Sequence, residues 1–310
     1  GGGGGGYKYP LNPNDELSLV ESIEEVLRTN VLEFVYQPIV DHARGEVCAH
    51  EALSRPRFRG HGISPDVWFR AAVACNRALE VDQLVVSLSV QSMQFAWMKA
   101  PSTLLFVNVT PSSLMETVFA EQLERVLQAG LCRPEQLVLE IVEYVSYDVT
   151  RLSPMIQFIR SLGVQIALDD VGTGSSTLTA VLTLEPDWVK VDRTWIEGIS
   201  RQPAKQRSLS QLVQLMGSGD QIIAEGVETS EDLRTVRGLG VRMSQGYYWS
   251  PPLSVDQIQG VIQEIERRRR EFVKLTEERS WSDPMVISKS REIDRLVTLY
   301  HRWGAETADA

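Results

Sequence analysis

Cysteine is scarce in this 310-residue chain: Cys48, Cys75 and Cys132 are the only three, and none forms a CxxC pair. Scattered thiols of this kind give no disulfide framework and no thiolate zinc site, and they read as buried side chains in a reducing compartment. Histidine is almost as rare. His42, His50, His61 and His301 share no ligand spacing, which argues against a histidine zinc centre. Positive charge is in deficit, with 31 Lys and Arg against 41 Asp and Glu, a net charge of −10. That balance disfavours a DNA-binding surface, although a single dinucleotide could be held through cations and one or two arginines. No apolar run approaches the roughly 20 residues of a membrane-spanning helix, and no secretory signal is evident. The expectation is a cytoplasmic protein without a membrane span.

What the chain has instead is six short apolar runs that each end in an oxygen-bearing or charged side chain: Glu51, Asn108, Glu140, the Asp169–Asp170 pair, Lys190, and Glu225 followed by Glu228. Runs this short read as buried strands. Acids leaving the carboxyl ends of successive parallel strands gather on one face, where they repel one another unless cations are bound.

The rest of the chain fits that picture. Gly1–Gly6 cannot form a core, and residues 1–10 are expected to be a disordered glycine-rich leader. Asn14 or Asp15 can cap a helix to about Thr29. Strands over 34–40 and 47–53 are joined by a link too short for a parallel crossover, so they should pair antiparallel. Helices are then expected near 65–79, 81–98, 112–129, 153–162, 177–182, 207–216 and 230–239. They alternate with strands at 104–109, 137–142, 164–168, 188–191, 222–224 and near 245–249. Repeated strand–helix units force parallel pairing, and eight strands can close. The expected fold is α/β, a TIM-like (β/α)8 barrel with an antiparallel first strand, over residues 11–256. Ser254 and Gln257 form a capping box that opens a helix to about Glu278. With a second amphipathic helix after residues 280–284, it makes residues 257–310 a C-terminal helical hairpin. The arginine run at 267–270 reads as a solvated helix face paired with Glu264, Glu266 and Glu271.

In TIM barrels the chemistry sits at the carboxyl ends of the strands. Hard oxygen donors suit Mg²⁺ or Mn²⁺. In the Asp169–Asp170 pair, one carboxylate can bridge two cations about 4 Å apart while the next holds the second, an arrangement suited to in-line attack at phosphorus. Lys190 beside them would accept or relay a proton, or simply balance charge. The segment Gly172-Thr-Gly174 reads as a phosphate loop or as a flexible loop that positions Asp170. A barrel lyase of the enolase type also uses strand-end acids, Mg²⁺ and a lysine, but it leaves the Asp pair and Arg55 unexplained.

Taken in order, Tyr36-Gln-Pro38, Glu51-Ala52-Leu53, Asn108-Val-Thr-Pro111, Glu140-Ile-Val-Glu143, Asp169-Asp-Val-Gly-Thr-Gly174, Lys190-Val-Asp192, Ala224-Glu-Gly-Val-Glu228 and Gln245-Gly-Tyr-Tyr248 resemble the motifs of the EAL-domain cyclic di-GMP phosphodiesterases. The resemblance spans about Leu17 to Leu253. It implies hydrolysis of cyclic di-GMP to linear pGpG with Mg²⁺ or Mn²⁺, two ions in all. Glu51, Asn108, Glu140 and Asp169 match ligands of the first metal. Asp169 is shared with a second metal that Asp170 and Glu225 also hold. Lys190 matches the base or water-orienting group, Glu228 and Gln245 match water-positioning groups, and Glu143 matches the glutamate that steadies the loop after the Asp pair. Gln37, Leu53, Arg55 and Asp192 match substrate contacts. Val171 stands where the family usually has Phe, in a loop linked there to dimerisation, so a homodimer is expected with its regulation in question.

A second resemblance concerns the tail. Ile265-Glu-Arg267 and Ser290-Arg-Glu-Ile-Asp294 are similar to the two-helix aspartyl-phosphate phosphatases of endospore formers, with Asp294 at the motif's acid and Arg291 and Ile293 departing from its Gln and Leu. It implies a response regulator as partner, and a plain packing hairpin is the alternative. The alternative to catalysis is a receptor that binds cyclic di-GMP without turnover.

Overall fold

The computed structural model describes residues 15–142, 147–171, 175–280, 282–288 and 290–291. The first helix, α1 (Glu16–Thr29), starts where the Asp15 side chain accepts from the Leu17 amide, and it stops at Asn30 in the left-handed region. Strand β1 (Phe34–Asp41) turns at Gly45 into β2 (Glu46–Ser54), and the two pair antiparallel from Phe34↔Ser54 to Asp41↔Glu46. A two-stranded ribbon follows, Arg57–Phe58 with His61–Gly62. Then come α2 (Pro65–Ala74), α3 (Ala78–Ser92), α4 (Gln94–Lys99) and β3 (Leu104–Val109). The chain continues through α5 (Pro111–Leu114), α6 (Thr117–Gln128), β4 (Leu137–Ile141), α7 (Val149–Ser161), β5 (Gln165–Val171) and α8 (Ser175–Leu184). It closes with β6 (Trp188–Val191), α9 (Arg193–Ile196), α10 (Pro203–Leu215), β7 (Ile222–Glu225), α11 (Ser230–Gly238), β8 (Met243–Gln245) and α12 (Val255–Glu278).

The strands close in the order β1-β8-β7-β6-β5-β4-β3-β2. Only β1 runs against its neighbours; every other pair is parallel. Helices cover the outside, where Trp68, Phe119, Leu123, Ile156 and Ile159 are buried against the strands. Inside the barrel lies a smaller apolar layer of Ile39, Ala49, Phe106, Val138, Ala167, Ile223 and Met243. Among the described residues no helix is long and apolar enough to cross a membrane.

Several boundaries differ from the sequence expectation for local reasons. The helix expected over 65–79 ends at Ala74, because Asn76 takes a positive φ of 60°. Those expected over 81–98 and 112–129 are each broken in two, at Met93 and at Met115–Glu116. Proline reads most naturally as a first helical residue, yet α7 starts before Pro154, at Val149, because Asp148 caps it by accepting from the Thr150 and Arg151 amides. The last strand is Met243–Gln245 rather than 245–249, since the chain turns at Gly246 with φ 152°. Strand β5 reaches Val171, so the Asp pair lies within it. Of the hairpin at 257–310, α12 is present with its capping box, and the second helix falls largely outside the described residues. Within α12, Arg267 pairs with Glu271 at 2.6 Å, the solvated-face arrangement. The three cysteines are free thiols, Cys132 buried.

Candidate active site

Strand period places the site. Side chains two residues apart share a face, so the interior apolar residues Ala49, Phe106, Val138, Ala167 and Ile223 are followed inside the barrel, one layer higher, by Glu51, Asn108, Glu140, Asp169 and Glu225. The same step leads from Trp188 to Lys190, from Met243 to Gln245, and on antiparallel β1 from Ile39 back to Gln37. Polar groups from every strand of the barrel thus stand on an apolar floor at the carboxyl end of the parallel strands.

Lys190 is the centre of this layer and is fully buried. Its Nζ lies 2.9 Å from Glu51 Oε1, 2.8 Å from Glu140 Oε1 and 3.2 Å from Glu225 Oε1, and 5.8 Å from the centre of the Phe106 ring below. Burial alone would lower the Lys190 pKa, but Glu140, Glu51, Glu225 and Asp169 together raise it well above the ordinary lysine value. One ammonium does not balance four carboxylates. Burial would raise Glu51 too, yet the Lys190 charge and donors from Lys190, Gln245 and Asn108 hold it below the usual range. Glu140 is pushed well up, by burial and then by the Glu51 charge, and Glu225 by burial and then by Asp169.

The hydrogen bonds leave acceptors over. Glu51 takes Gln245 Nε2 at 2.7 Å and Asn108 Nδ2 at 3.1 Å, and Gln245 Nε2 also reaches Gln37 Oε1 at 3.0 Å. Asn108 Oδ1, Gln245 Oε1 and both Glu140 oxygens are buried with no hydrogen-bond donor; the 2.8 Å approach of Lys190 to Glu140 is an ion contact without hydrogen-bond alignment. Oxygens of Glu51, Glu140 and Glu225 lie within 4.8 Å of one another. Buried, unpartnered, hard oxygen donors around an excess of negative charge fit a divalent cation.

Of the other anticipated residues, Leu53 and Arg55 continue the Glu51 face of β2 past the rim by sequence period, and burial lowers the Arg55 pKa, with only the phenol of Tyr247 opposing. Glu228 is exposed and ion-paired to Arg193 at 2.8 Å, and it is not one of the three carboxylates that gather around Lys190. Asp192 is occupied as the cap of α9, its carboxylate accepting from the Thr194 amide and hydroxyl. The Asp170 side chain, Glu143, Gly172–Gly174 and Asp294 lie outside the described residues. The backbone around the Asp pair is informative nonetheless. Leu168 pairs with Val189 and Val171 with Val191, so β5 advances three residues while β6 advances two. That bulge breaks strict alternation where two consecutive acids stand.

Sequence reasoning missed two neighbours of the site residues. Phe106 forms its floor and is recognisable as the inward residue two before Asn108. Arg193, which holds Glu228, carries no signal of its own.

The chain matches the EAL domain over residues 20–252. It is 32% identical over 251 residues to the cyclic di-GMP phosphodiesterase NbdA of Pseudomonas aeruginosa, covering 78% of this chain and 32% of that protein. It is 30% identical over 224 residues to the probable cyclic di-GMP phosphodiesterase PdeN of Escherichia coli, covering 71% of this chain and 43% of that protein. The chain spans about a third of the length of the first curated relatives it matches. Among solved structures it is similar to an EAL domain protein from Listeria monocytogenes, with TM-score 0.69 and 25% identity over 78% of this chain and 96% of that one. It is also similar to Klebsiella pneumoniae BlrP1 in a calcium and cyclic di-GMP complex, with TM-score 0.63 and 28% identity over 72% of this chain and 56% of that one. The match begins before β1 and ends after β8, so it takes in the whole closed barrel and its polar layer, and the chain belongs to the EAL domain family.

Proposed function

We propose that this chain hydrolyses cyclic di-GMP to linear pGpG with two divalent cations, Mg²⁺ or Mn²⁺. The observation that carries the reading is the buried cluster of Glu51, Glu140 and Glu225 around Lys190, with the unpartnered oxygens of Asn108 and Glu140 turned to no donor. Glu51, Asn108, Glu140 and Asp169 would hold one cation, and Asp170 and Glu225, with Asp169, would hold the other. When bound, the cations lower the pKa of an attacking water and neutralise charge at phosphorus.

The chain's own groups do the rest. Gln245 and Asn108 orient the Glu51 carboxylate through their amide donors. Lys190 Nζ, at the centre of the cluster, would orient the attacking oxygen or relay a proton there. Gln37, Leu53 and Arg55 bind the dinucleotide from the β1–β2 side, the Arg55 guanidinium meeting phosphate. Asp192, and Glu228 held by Arg193, bound the opposite side, and Glu143 steadies the loop after the Asp pair. The phosphodiesterase unit is 11–256, acting as a homodimer in the cytoplasm. The tail, 257–310, docks to or dephosphorylates a response regulator through Asp294, a role that Asp294→Ala would abolish.

The experiment is incubation of pure protein with cyclic di-GMP and Mn²⁺, following pGpG. Glu51→Ala should lose more than the roughly 100-fold that changes outside the ligand shell cost. Binding of cyclic di-GMP by the wild type without any pGpG would overturn catalysis in favour of a receptor.

A further inference from the structure

The exit of β3 is held in an unusual way. Its last pairing to β2 is at Val107, and to β4 at Val109, whose carbonyl accepts from the Val142 amide at 3.2 Å. Beyond that point Thr110 has no strand partner for its amide, and Pro111 has no N–H at all. The holding group comes from α3. Asp82, 1% exposed, accepts through one oxygen, Oδ2, from the Thr110 amide at 3.0 Å, the Thr110 hydroxyl at 2.6 Å and the Ser113 hydroxyl at 2.5 Å. Thr110 occupies the N-cap position of α5 but makes no side-chain cap bond there, its hydroxyl being directed to Asp82.

This is an expensive way to make a turn. Among the described residues no Lys, Arg or His pairs with Asp82, its Oδ1 is buried without a donor, and burial outweighs the three hydrogen bonds to raise its pKa to about 6. A neutral serine or asparagine could cap a helix without burying a carboxylate. What the carboxylate adds is stronger, charge-assisted bonds at a point two residues past Asn108, whose Oδ1 is buried without a donor of its own. Lys190 holds Glu51 and Glu140 by direct contact, whereas among the described residues Asn108 has one side-chain hydrogen bond, to Glu51, to orient it.

We propose that Asp82 is a positioning residue for the cation site, anchoring Thr110 and Ser113 so that the Asn108 amide oxygen is held toward the cations. The inference rests on the phosphodiesterase reading above. It is tested by Mn²⁺ titration calorimetry, with thermal midpoints alongside, on wild type, Asp82→Ala, Asp82→Asn, Thr110→Val and Ser22→Ala. Ser22 accepts from the Trp68 indole at 3.0 Å and donates to the Arg57 carbonyl at 2.7 Å, with no bond to the carboxylate cluster among the described residues, so its loss should destabilise the fold without touching the cation ligands. Asp82→Ala should weaken Mn²⁺ binding about tenfold. Thr110→Val should reproduce part of that loss, and Asp82→Asn, which keeps shape and an acceptor but gives up the charge, should recover only part of it. Ser22→Ala should lower the midpoint and leave Mn²⁺ affinity unchanged. Wild-type affinity in both Asp82→Ala and Thr110→Val would overturn the inference, as would equal weakening in Ser22→Ala. If Asp82→Ala fails to fold, Thr110→Val and Asp82→Asn decide. Wild type that binds no Mn²⁺ and forms no pGpG would instead remove the phosphodiesterase reading itself, and this inference with it.

Discussion

Lys190 is a buried cation whose counter-charges among the described residues are the groups expected to bind other cations. Removing one partner of a buried ion pair costs about 3 to 5 kcal/mol because the other charges stay behind uncompensated. Glu140 and Glu225, already pushed toward the protonated form by burial and by neighbouring charge, absorb part of that cost. Lys190→Met should therefore lower cation-free stability by about 3 kcal/mol, and added Mn²⁺ should restore much of it while turnover stays lost. Thermal denaturation with and without Mn²⁺ checks this. A midpoint insensitive to Mn²⁺ would mean that the carboxylates do not share a cation.

At the scale of elements, the sequence showed where strands start more reliably than where they end. Trp188–Val191 and Leu104–Val109 fall where the apolar pattern places them, because short runs bounded by polar residues have little freedom of interpretation. Strand β5 was harder to read, since its polar end, Asp169–Asp170, remains in the ladder through a bulge that no alternation rule anticipates. The end of β8 depends on a close approach. Gly246 has φ 152°, and a Cβ there would lie 2.4 Å from the Val227 carbonyl oxygen. The Val227 amide in turn donates to the Gln245 carbonyl at 3.2 Å, tying the Gln245 strand to the Glu225–Glu228 loop. Gly246→Ala should cost about 2 to 4 kcal/mol through strain and displacement of that backbone. It should also reduce turnover beyond what the stability loss explains, because Gln245 moves with it. Denaturant midpoints and pGpG formation, measured together, test both parts. Full activity with a lowered midpoint would show that the turn serves the fold alone.

The whole molecule depends on a short closing seam. β1 meets β8 at two residue pairs only, Val40↔Ser244 and Asp41↔Met243. His42 reinforces it: its ring nitrogens lie 3.2 Å from the Val241 carbonyl and 2.5 Å from the Ser244 hydroxyl, and Arg242 pairs with Asp41 at 3.0 Å. Burial drives the His42 pKa from 6.5 to about 4, with Arg237 lowering it further against the Val241 bond and Asp41. A base that resists protonation only when folded contributes stability above its unfolded pKa and loses it as pH falls. The thermal midpoint should therefore decline between about pH 6.5 and 4. The decline should be shallower in His42→Gln. Identical slopes would show that the seam is not where acid acts. Asp82, with its pKa raised, works in the opposite sense: protonation near pH 6 relieves a buried charge, so it softens the decline in both proteins.

What the sequence determined by itself was the period of the elements, the reversed first strand and the identity of the rim acids. Each depends on neighbours along the chain: a link at 41–45 too short to cross over, apolar runs of strand length, and a polar residue at each exit. Tertiary structure decided the rest, because it depends on distances between residues far apart in sequence. It brought Lys190 within ion-pair range of Glu51, Glu140 and Glu225. It drew Glu228 to Arg193 and Asp192 to a helix cap, and it set Asp82 under Thr110. Local pattern specifies which face a side chain takes; only barrel closure specifies which other side chains it meets there.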